Sequence, residues 1–171
     1  MSRSDELYEE AVAAYGDALD RLVGAYEADA DMRRDLRQDI HLALWRSLNH
    51  FEERCSLRTW VYRVAHYTAT SYVIRQRRTN SSRLMSLEEM EATADASGSA
   101  RNADDRIALE RLLNLVHRLK PLDRELMLLY LEDLDATTIG EIMGISTGNV
   151  RIQIHRIKTI LIRRFHRGGQ P

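Results

Sequence analysis

The C-terminal stretch 135–167 has the pattern of two helices joined by a tight turn, and this pattern constrains the fold most strongly. Residues 136–143 are amphipathic, and Gly144 can supply the positive φ that ends a helix. Ser146 stands where its hydroxyl can cap the next helix. From there apolar residues recur at helical spacing, namely Val150, Ile154, Ile157 and Leu161. The stretch therefore predicts a helix-turn-helix.

The second of these helices is predicted to bind DNA, because its outer face is basic and no acidic residue follows Glu141. A helix-turn-helix places such a face in the major groove, where Arg, Asn and Gln can pair with base edges. The predicted DNA-binding residues are Thr147, Asn149, Arg151, Ile152, Gln153, His155, Arg156 and Lys158. A helical hairpin with a solvated basic face is the alternative, because many basic helices only face water.

The composition indicates a globular, all-α protein. Hydrophobic residues make up 44% and charged residues 30% of the 171 residues, and only two Pro and eight Gly occur. No apolar run approaches membrane-spanning length, and the N-terminus lacks a signal-peptide core. The single Cys55 excludes an internal disulfide and a thiolate metal cluster. We therefore expect a cytoplasmic protein without membrane insertion.

The net charge of −1 hides strong segregation along the chain. Residues 1–45 carry five bases and eleven acids, whereas residues 46–78 carry seven bases and two acids. Residues 79–105 carry two basic and six acidic residues, and residues 106–171 carry eleven basic and seven acidic residues. Two basic zones separated by an acidic stretch indicate two contacts with nucleic acid, and the acidic regions either serve protein partners or repel other DNA.

The spacing of apolar residues predicts two small helical domains joined by a linker. In the first domain, 7–78, we expect one or two helices up to Tyr26, a second through Leu36 and Leu44, a loop over 49–57, and a third from Trp60. Residues 79–106 have the composition of a flexible acidic linker. The second domain, 107–167, begins with two helices, the later one burying Leu122, Leu126, Leu129 and Tyr130, and ends in the helix-turn-helix.

Three segments resemble one family. Residues 35–45, DLRQDIHLALW, resemble the polymerase-binding helix of bacterial sigma factors. Residues 58–66, RTWVYRVAH, resemble the helix that family uses at the promoter minus-ten element. Residues 119–126, LKPLDREL, followed by the helix-turn-helix, resemble its minus-thirty-five module. By their joint occurrence, order and intervening linker, the chain is identified as a member of the extracytoplasmic-function sigma factors, the minimal class of the sigma-70 family.

The resemblance implies a factor that joins core RNA polymerase and directs promoter recognition, promoter opening and transcription initiation. It places the polymerase contact on Asp35, Gln38, Asp39 and Leu42. It places the minus-ten and melting contacts on Asn49, His50, Arg58, Arg63, His66, Arg75, Arg77 and Arg78. Among these, Asn49 and His50 are candidate readers of a flipped base, and the three last arginines either touch phosphates or are solvated. Trp45 and Trp60 are interpreted as core residues.

The sequence departs from the family pattern in two places. The usual acidic cluster before the polymerase-binding helix is here Met32-Arg33-Arg34-Asp35, which bears on the strength of core binding. The recognition helix has Ile152 and Gln153 where a small polar and a basic residue are common. Gln can contact adenine, and Ile can contact a thymine methyl or pack against another protein, so we expect an unusual minus-thirty-five preference.

Other functional classes fit the sequence less well. The chain has no Gly-rich phosphate loop, no Ser-centred elbow and no metal-spaced His pair, so we expect no catalysis, no metal and no cofactor. A two-domain helix-turn-helix regulator that does not join polymerase would leave the second basic zone unexplained. An all-helical adaptor would leave the charge segregation unexplained. The expected partners are core RNA polymerase, promoter DNA and, by resemblance, an anti-sigma factor or another regulatory protein.

Overall fold

The computed structural model describes residues 3–79, 115–116 and 118–167. Within those ranges the chain forms six α-helices and no strand, which confirms the predicted all-α fold for them. The helices are α1 (Arg3–Tyr26), α2 (Ala30–Leu48), α3 (Leu57–Thr79), α4 (Pro121–Leu131), α5 (Ala136–Met143) and α6 (Thr147–Arg167). Residues 80–114, which include most of the predicted linker and the helix after it, lie outside the described residues.

Helices α1, α2 and α3 pack against one another in pairs and form what we call the N-terminal unit. Helix α1 is continuous through Gly16, where the sequence left open a break. A glycine inside a helix costs only about 0.5–1 kcal/mol, and both halves of α1 bury residues, Ala11 and Leu19, in the same core. One continuous helix therefore packs against both α2 and α3.

Several of the helices have an N-terminal cap, in which a polar side chain accepts hydrogen bonds from the first backbone amides. The Asp29 carboxylate accepts hydrogen bonds from two backbone amides at the start of α2, both 3.0 Å long. Ser56 Oγ accepts from the Thr59 amide at 3.1 Å and so places the start of α3 at Leu57, the last residue of the predicted loop. Asp135 caps α5 in the same way.

Helices α4, α5 and α6 form the C-terminal unit and include the helix-turn-helix. Gly144 has a φ of 71° and ends α5, as predicted, and Ser146 Oγ accepts from the Asn149 amide at 3.2 Å at the start of α6. The core of this unit includes the predicted stripe of Val150, Ile154, Ile157 and Leu161, together with Ile139 and Ile142. The predicted helix-turn-helix is confirmed.

The buried face of α4 differs from the prediction. Leu126 and Leu129 are buried as expected, but Leu122 and Tyr130 are exposed, at 52% and 37%. The fully buried Glu125 and the nearly buried Met127 are inside instead. The physical reason is that α4 packs on two sides, against α5 and α6 in its own unit and against α1 of the N-terminal unit. A second contact between the units joins α3 and α5.

Candidate functional site

The recognition helix α6 presents its basic side to solvent because its apolar stripe packs against α4 and α5. Side chains opposite that stripe are the most accessible, and Ile152 is the most exposed large hydrophobic residue described, at 69%. Of the predicted DNA-binding residues, the exposed ones are Asn149, Arg151, Ile152, His155, Arg156 and Lys158, and the half-buried ones are Thr147 and Gln153. The eight residues are thus distributed around the side of the helix that does not face the core.

Local contacts orient some of these side chains. Gln153 Nε2 donates to Asn149 Oδ1 at 3.2 Å, which couples two candidate base readers on adjacent turns. Lys158 Nζ donates to the Tyr130 hydroxyl at 3.3 Å and lies 5.1 Å from the centre of that ring. Arg156 forms a 3.4 Å ion pair with Asp123. The candidate base readers Asn149, Arg151 and Gln153 therefore lie in the first two turns of α6, and the predicted basic residues His155, Arg156 and Lys158 follow them.

The predicted polymerase-binding residues share one face of α2. Asp35, Gln38 and Leu42 are exposed, and Asp39 is half-buried. The Asp39 carboxylate lies 3.0 Å from the Arg75 guanidinium of α3. This arrangement places acidic, amide and apolar groups side by side on a helix that packs against α1 and α3.

Trp45 lies on the same face, so its interpretation as a core residue is wrong. Its side chain is 44% exposed, and its Nε1 donates to Asp5 Oδ1 at 3.2 Å. The core side of α2 is taken by residues four apart, Leu36, Ile40, Leu44 and Leu48, and Trp45 is rotated about 100° from that line. Trp45 follows Leu42 by three positions and extends the exposed face by one turn.

Trp60 fits its interpretation as a core residue more closely. It is half-buried, packs against the core and lies 5.3 Å from the Phe51 ring centre. Its Nε1 donates to Ser47 Oγ at 3.0 Å, so the ring joins α3 to the end of α2. This contact anchors the loop between the two helices.

The loop between α2 and α3 borders a groove of about 500 Å³. The groove is lined by His50, Glu52, Arg54, Cys55, Trp60, Arg63 and, from the C-terminal unit, Glu141. Glu53 in this loop has a φ of 58°, a left-handed conformation that non-glycine residues rarely adopt. Of the two candidate base readers, His50 lines the groove, whereas the Asn49 amide donates at 3.4 Å to the Arg46 carbonyl at the end of α2.

Three predicted DNA-binding residues of α3 contact the C-terminal unit in this structure. Arg58 donates to the backbone carbonyl of Glu132. The Arg63 guanidinium lies 3.8 Å from the Glu141 carboxylate. His66 is only 5% exposed, and its Nδ1 lies 2.8 Å from Glu125 Oε2. These contacts were not foreseen from the sequence, since the partners lie between 59 and 78 residues further along the chain.

A buried carboxylate, that of Glu125, lies at the centre of the contact between the units. Its Oε2 also accepts a hydrogen bond from the Tyr26 hydroxyl of α1. Burial, followed by the neighbouring Glu125 charge, raises the pKa of Tyr26 above its ordinary value. The other carboxylate oxygen, Oε1, is buried and has no hydrogen-bond partner among the described residues. The network is therefore shared by both units and only partly satisfied.

The end of α3 carries the remaining predicted contacts. Arg75 is exposed, pairs with Asp39 and lies 6.0 Å from the centre of the Tyr72 ring. Arg77 and Arg78 continue the helix, but their side chains lie outside the described residues. No cluster of His, Cys, Asp and Glu in the described ranges has the geometry of a metal site. None of the described helices combines the length and apolarity that a membrane span requires.

Comparisons with known proteins agree with this arrangement. The family model for Sigma-70 region 2 matches residues 11–79, and that for Sigma-70, region 4 matches residues 109–161. The ECF RNA polymerase sigma-E factor of Escherichia coli strain K12 is 31% identical over 157 residues, which span 86% of this chain and 80% of that protein. The sigma factor NccH of Alcaligenes xylosoxydans xylosoxydans is 28% identical over 110 residues, or 64% and 58% of the two chains.

Two solved structures share the fold. RpoE of Bartonella quintana, in a co-crystal with the anti-sigma factor NepR, superposes with a TM-score of 0.71 at 15% identity, over 95% of this chain and 98% of that one. CnrH, in complex with the cytosolic domain of CnrY, gives a TM-score of 0.62 at 19% identity, over 93% and 87%. From the two matched regions and the relatedness to the sigma-E factor, this chain belongs to the extracytoplasmic-function sigma factors of the sigma-70 family.

Proposed function

We propose that this protein binds core RNA polymerase as its sigma subunit and directs promoter recognition, promoter opening and transcription initiation. The observation that carries the proposal is the presence of two basic surfaces on separate helical units of one sigma-family chain. One is the exposed side of α6, and the other is formed by basic residues of α3, namely the half-buried Arg58 and Arg63 and the exposed Arg75. Two such surfaces can hold two promoter elements at once, which a single helix-turn-helix cannot do.

We assign a separate function to each of the predicted domains. The domain at 7–78 binds polymerase and the minus-ten element, and the domain at 107–167 binds the minus-thirty-five element. The linker at 79–106 connects them. The family matches at 11–79 and 109–161 are compatible with these bounds.

The polymerase contact is assigned to the α2 face formed by Asp35, Gln38, Asp39 and Leu42. An exposed leucine beside carboxylates is typical of a protein interface, because apolar area gives affinity and charge gives orientation. The exposed Trp45 extends this surface, and an aromatic side chain there would add a strong anchor.

The minus-ten contact is assigned to the groove beside the α2–α3 loop and to the basic side of α3. Strand opening requires a place for an unstacked base and cationic groups for the backbone. His50 and Arg63 line the groove, and Trp60 supplies an aromatic wall. Asn49, Arg58, His66, Arg75, Arg77 and Arg78 complete the predicted set.

The minus-thirty-five contact is assigned to α6. The Gln153 amide, held by Asn149, suits adenine, and Arg151 suits guanine. Ile152 projects from the middle of the exposed face, where an apolar side chain can contact a thymine methyl. His155, Arg156 and Lys158 contribute phosphate contacts further along the helix.

The protein acts in the cytoplasm as an initiation factor and not as an enzyme. Control by a separate protein is expected, since the solved structures of CnrH and of Bartonella RpoE are complexes with CnrY and with the anti-sigma factor NepR. The Met32-Arg33-Arg34 departure leaves modification of the chain or a different regulatory partner as alternatives to an anti-sigma factor.

Reconstitution with core RNA polymerase tests the proposal. The protein is added to core enzyme with genomic DNA, and the transcript starts are sequenced. The expected result is a set of starts that depends on the protein and shares upstream elements. A variant with Asp35→Lys and Asp39→Lys is expected to lose core binding in a pull-down while its helical circular dichroism is retained. Promoter binding without core association or transcription would favour the regulator that does not join polymerase.

A further inference from the structure

We propose that Asp5, in the first turn of α1, is a positioning residue for the polymerase contact, because its carboxylate holds the exposed Trp45 ring of α2 ready for docking. This inference rests on the proposed function of the α2 face that carries Asp35 and Leu42. Trp45 Nε1 donates to Asp5 Oδ1 at 3.2 Å, and the two residues lie 40 positions apart in the chain. Helix α1 therefore contributes to a surface whose other assigned residues all belong to α2.

The hydrogen bond satisfies the one polar group of an otherwise apolar ring. The indole N–H is a donor only, and a donor that loses water without gaining an acceptor costs free energy when a partner covers it. In this structure the acceptor is already supplied by Asp5. Core polymerase can thus bury the exposed area of the Trp45 ring without leaving an unpaired donor.

The same contact fixes the direction of the ring. A surface tryptophan without a partner samples several rotamers, and the loss of this freedom on binding opposes association. Asp5 removes part of the freedom before the polymerase arrives. The ring is held on the side of α2 that also carries the exposed Leu42, one turn away, so two apolar side chains are presented together beside the carboxylates.

The first two turns of α1 are held in place by contacts on either side of Asp5. The Arg3 guanidinium pairs with the Glu53 carboxylate in the α2–α3 loop. The Tyr8 hydroxyl lies 2.9 Å from His41 Nδ1 of α2, and the two rings meet edge to face at 6.1 Å between their centres. Because α1 is tied both to α2 and to the loop, the Asp5 carboxylate has a defined position relative to α2 and does not move with a fraying helix end.

A carboxylate in the first turn of a helix also interacts favourably with the helix dipole, and this is the alternative role for Asp5. The two roles require different properties of the side chain. The dipole interaction needs the negative charge, whereas the hydrogen bond to the indole needs an oxygen acceptor. Asparagine supplies the acceptor without the charge. Glu6, the other acidic residue of that turn, carries the same charge, but the hydrogen bond to Trp45 is made by Asp5.

Equilibrium binding of the full chain to purified core RNA polymerase tests the inference. Asp5→Ala should bind core enzyme about three- to tenfold more weakly than the parent, because the ring is no longer held and its N–H is left unpaired on docking. Asp5→Asn, which keeps an acceptor, should bind within about twofold of the parent. The matched control, Glu6→Ala, removes a carboxylate from the same turn and should bind as the parent does. Equal affinity of Asp5→Ala and Glu6→Ala, or an Asp5→Asn variant as weak as Asp5→Ala, would overturn the inference.

A double-mutant cycle separates positioning from an independent contact. Trp45→Phe keeps an aromatic ring but has no N–H to donate, so it should weaken core binding at least as much as Asp5→Ala does. Adding Asp5→Ala to Trp45→Phe should then cause no further loss, since both changes remove the same interaction. Losses that multiply in the double variant would overturn the inference, and so would a Trp45→Ala variant with the parental affinity.

The free protein provides a readout that does not depend on polymerase. The chain has two tryptophans, so fluorotryptophan labelling gives two fluorine resonances, and Trp45→Phe identifies the one from Trp45. Asp5→Ala should shift the Trp45 resonance and leave that of Trp60 in place, because Trp60 Nε1 donates to Ser47 Oγ. An unmoved Trp45 resonance would overturn the inference. A parent chain that fails to bind core enzyme would refute the sigma function itself, whereas a parent that binds no better than Asp5→Ala would refute only the positioning role.

Discussion

Glu125 of α4 and His66 of α3 form a buried contact of 2.8 Å between groups 59 residues apart in the chain. The same carboxylate oxygen accepts the hydroxyl of Tyr26, so one acidic side chain joins α1, α3 and α4. This contact connects the proposed minus-ten surface to the unit that carries the recognition helix. The stability of the free protein and its access to DNA are therefore expected to depend on the same residues.

Removal of the Tyr26 hydroxyl tests how much its hydrogen bond to Glu125 contributes to stability. Tyr26→Phe deletes one donor to a carboxylate and should lower the free energy of unfolding by about 1.5–3 kcal/mol, as measured by urea denaturation. The control is Tyr8→Phe, whose hydroxyl lies 2.9 Å from His41 Nδ1 within the N-terminal unit and should contribute about 0.5–1.5 kcal/mol. An effect of Tyr26→Phe below that of Tyr8→Phe would show that the interface contact contributes little.

Stability is expected to fall in alkali because of Tyr72. Burial, followed by a hydrogen bond to Glu27, raises the pKa of Tyr72 from 10.0 to about 12. A raised pKa in the folded state means that the unfolded chain loses its proton first. The stabilising contribution is thus complete below pH 10 and is lost as the pH rises toward about 12.

Urea unfolding across that pH range measures the loss. Tyr72→Phe should flatten the decline, while Tyr67→Phe, at a side chain that is 56% exposed, should not alter it. A decline that is the same in the parent and in Tyr72→Phe would contradict the assignment.

Substitution of alanine for two glycines of the helix-turn-helix should change the stability of the protein in opposite directions. A Cβ at Gly140 would lie 2.6 Å from the Ile145 carbonyl oxygen, so the turn must shift. Gly140→Ala should therefore destabilise the protein by about 1–3 kcal/mol. At Gly148 nothing lies within 4 Å of the added Cβ, and Gly148→Ala should stabilise by about 0.4–1 kcal/mol. Thermal unfolding compares the two variants with the parent. Changes of the melting temperature in the same direction for both variants would contradict the turn geometry.

Promoter preference should depend on the first two turns of α6. Arg151→Ala and Gln153→Ala should each reduce discrimination at one base position by about 1–3 kcal/mol. Ile152→Ala should relax the preference at a further position and change stability by less than about 0.5 kcal/mol, since the side chain is 69% exposed.

A library of randomised minus-thirty-five elements, read by transcript sequencing, measures these preferences. Ile162→Ala is the matched control, because Ile162 is 55% exposed near the end of the same helix. An Ile152→Ala profile identical to the parent would favour the alternative that Ile152 packs against another protein.

The helix-turn-helix could be predicted from the sequence because its signals are local. Gly144 ends one helix, Ser146 caps the next, and the apolar spacing of α6 defines its buried side. Each signal acts over a few residues, so no distant contact was needed to interpret it.

Residues whose environment depends on distant elements were harder to predict. An aromatic residue beside the apolar face of a helix is usually part of the core. Trp45 is exposed instead, because Leu44 and the other residues four apart on α2 already occupy the core side of that helix. Burial of Glu125 depends on α1 and α3, which no spacing within α4 reveals. The roles of the polymerase-binding and DNA-binding residues stay predictions, since they concern partners outside this chain.

The distance between the two units in free and promoter-bound protein tests the account most directly. Pulsed electron paramagnetic resonance measures that distance between two spin labels in a Cys55→Ser chain. The labels are attached at Glu10→Cys in α1 and at Arg163→Cys in α6. The free protein should give one narrow distance population, and the complex with core polymerase and promoter DNA should give a longer one. An unchanged distribution in a complex that initiates transcription would contradict the assignment of Arg58, Arg63 and His66 to the minus-ten contact, because these residues contact the C-terminal unit in the free protein.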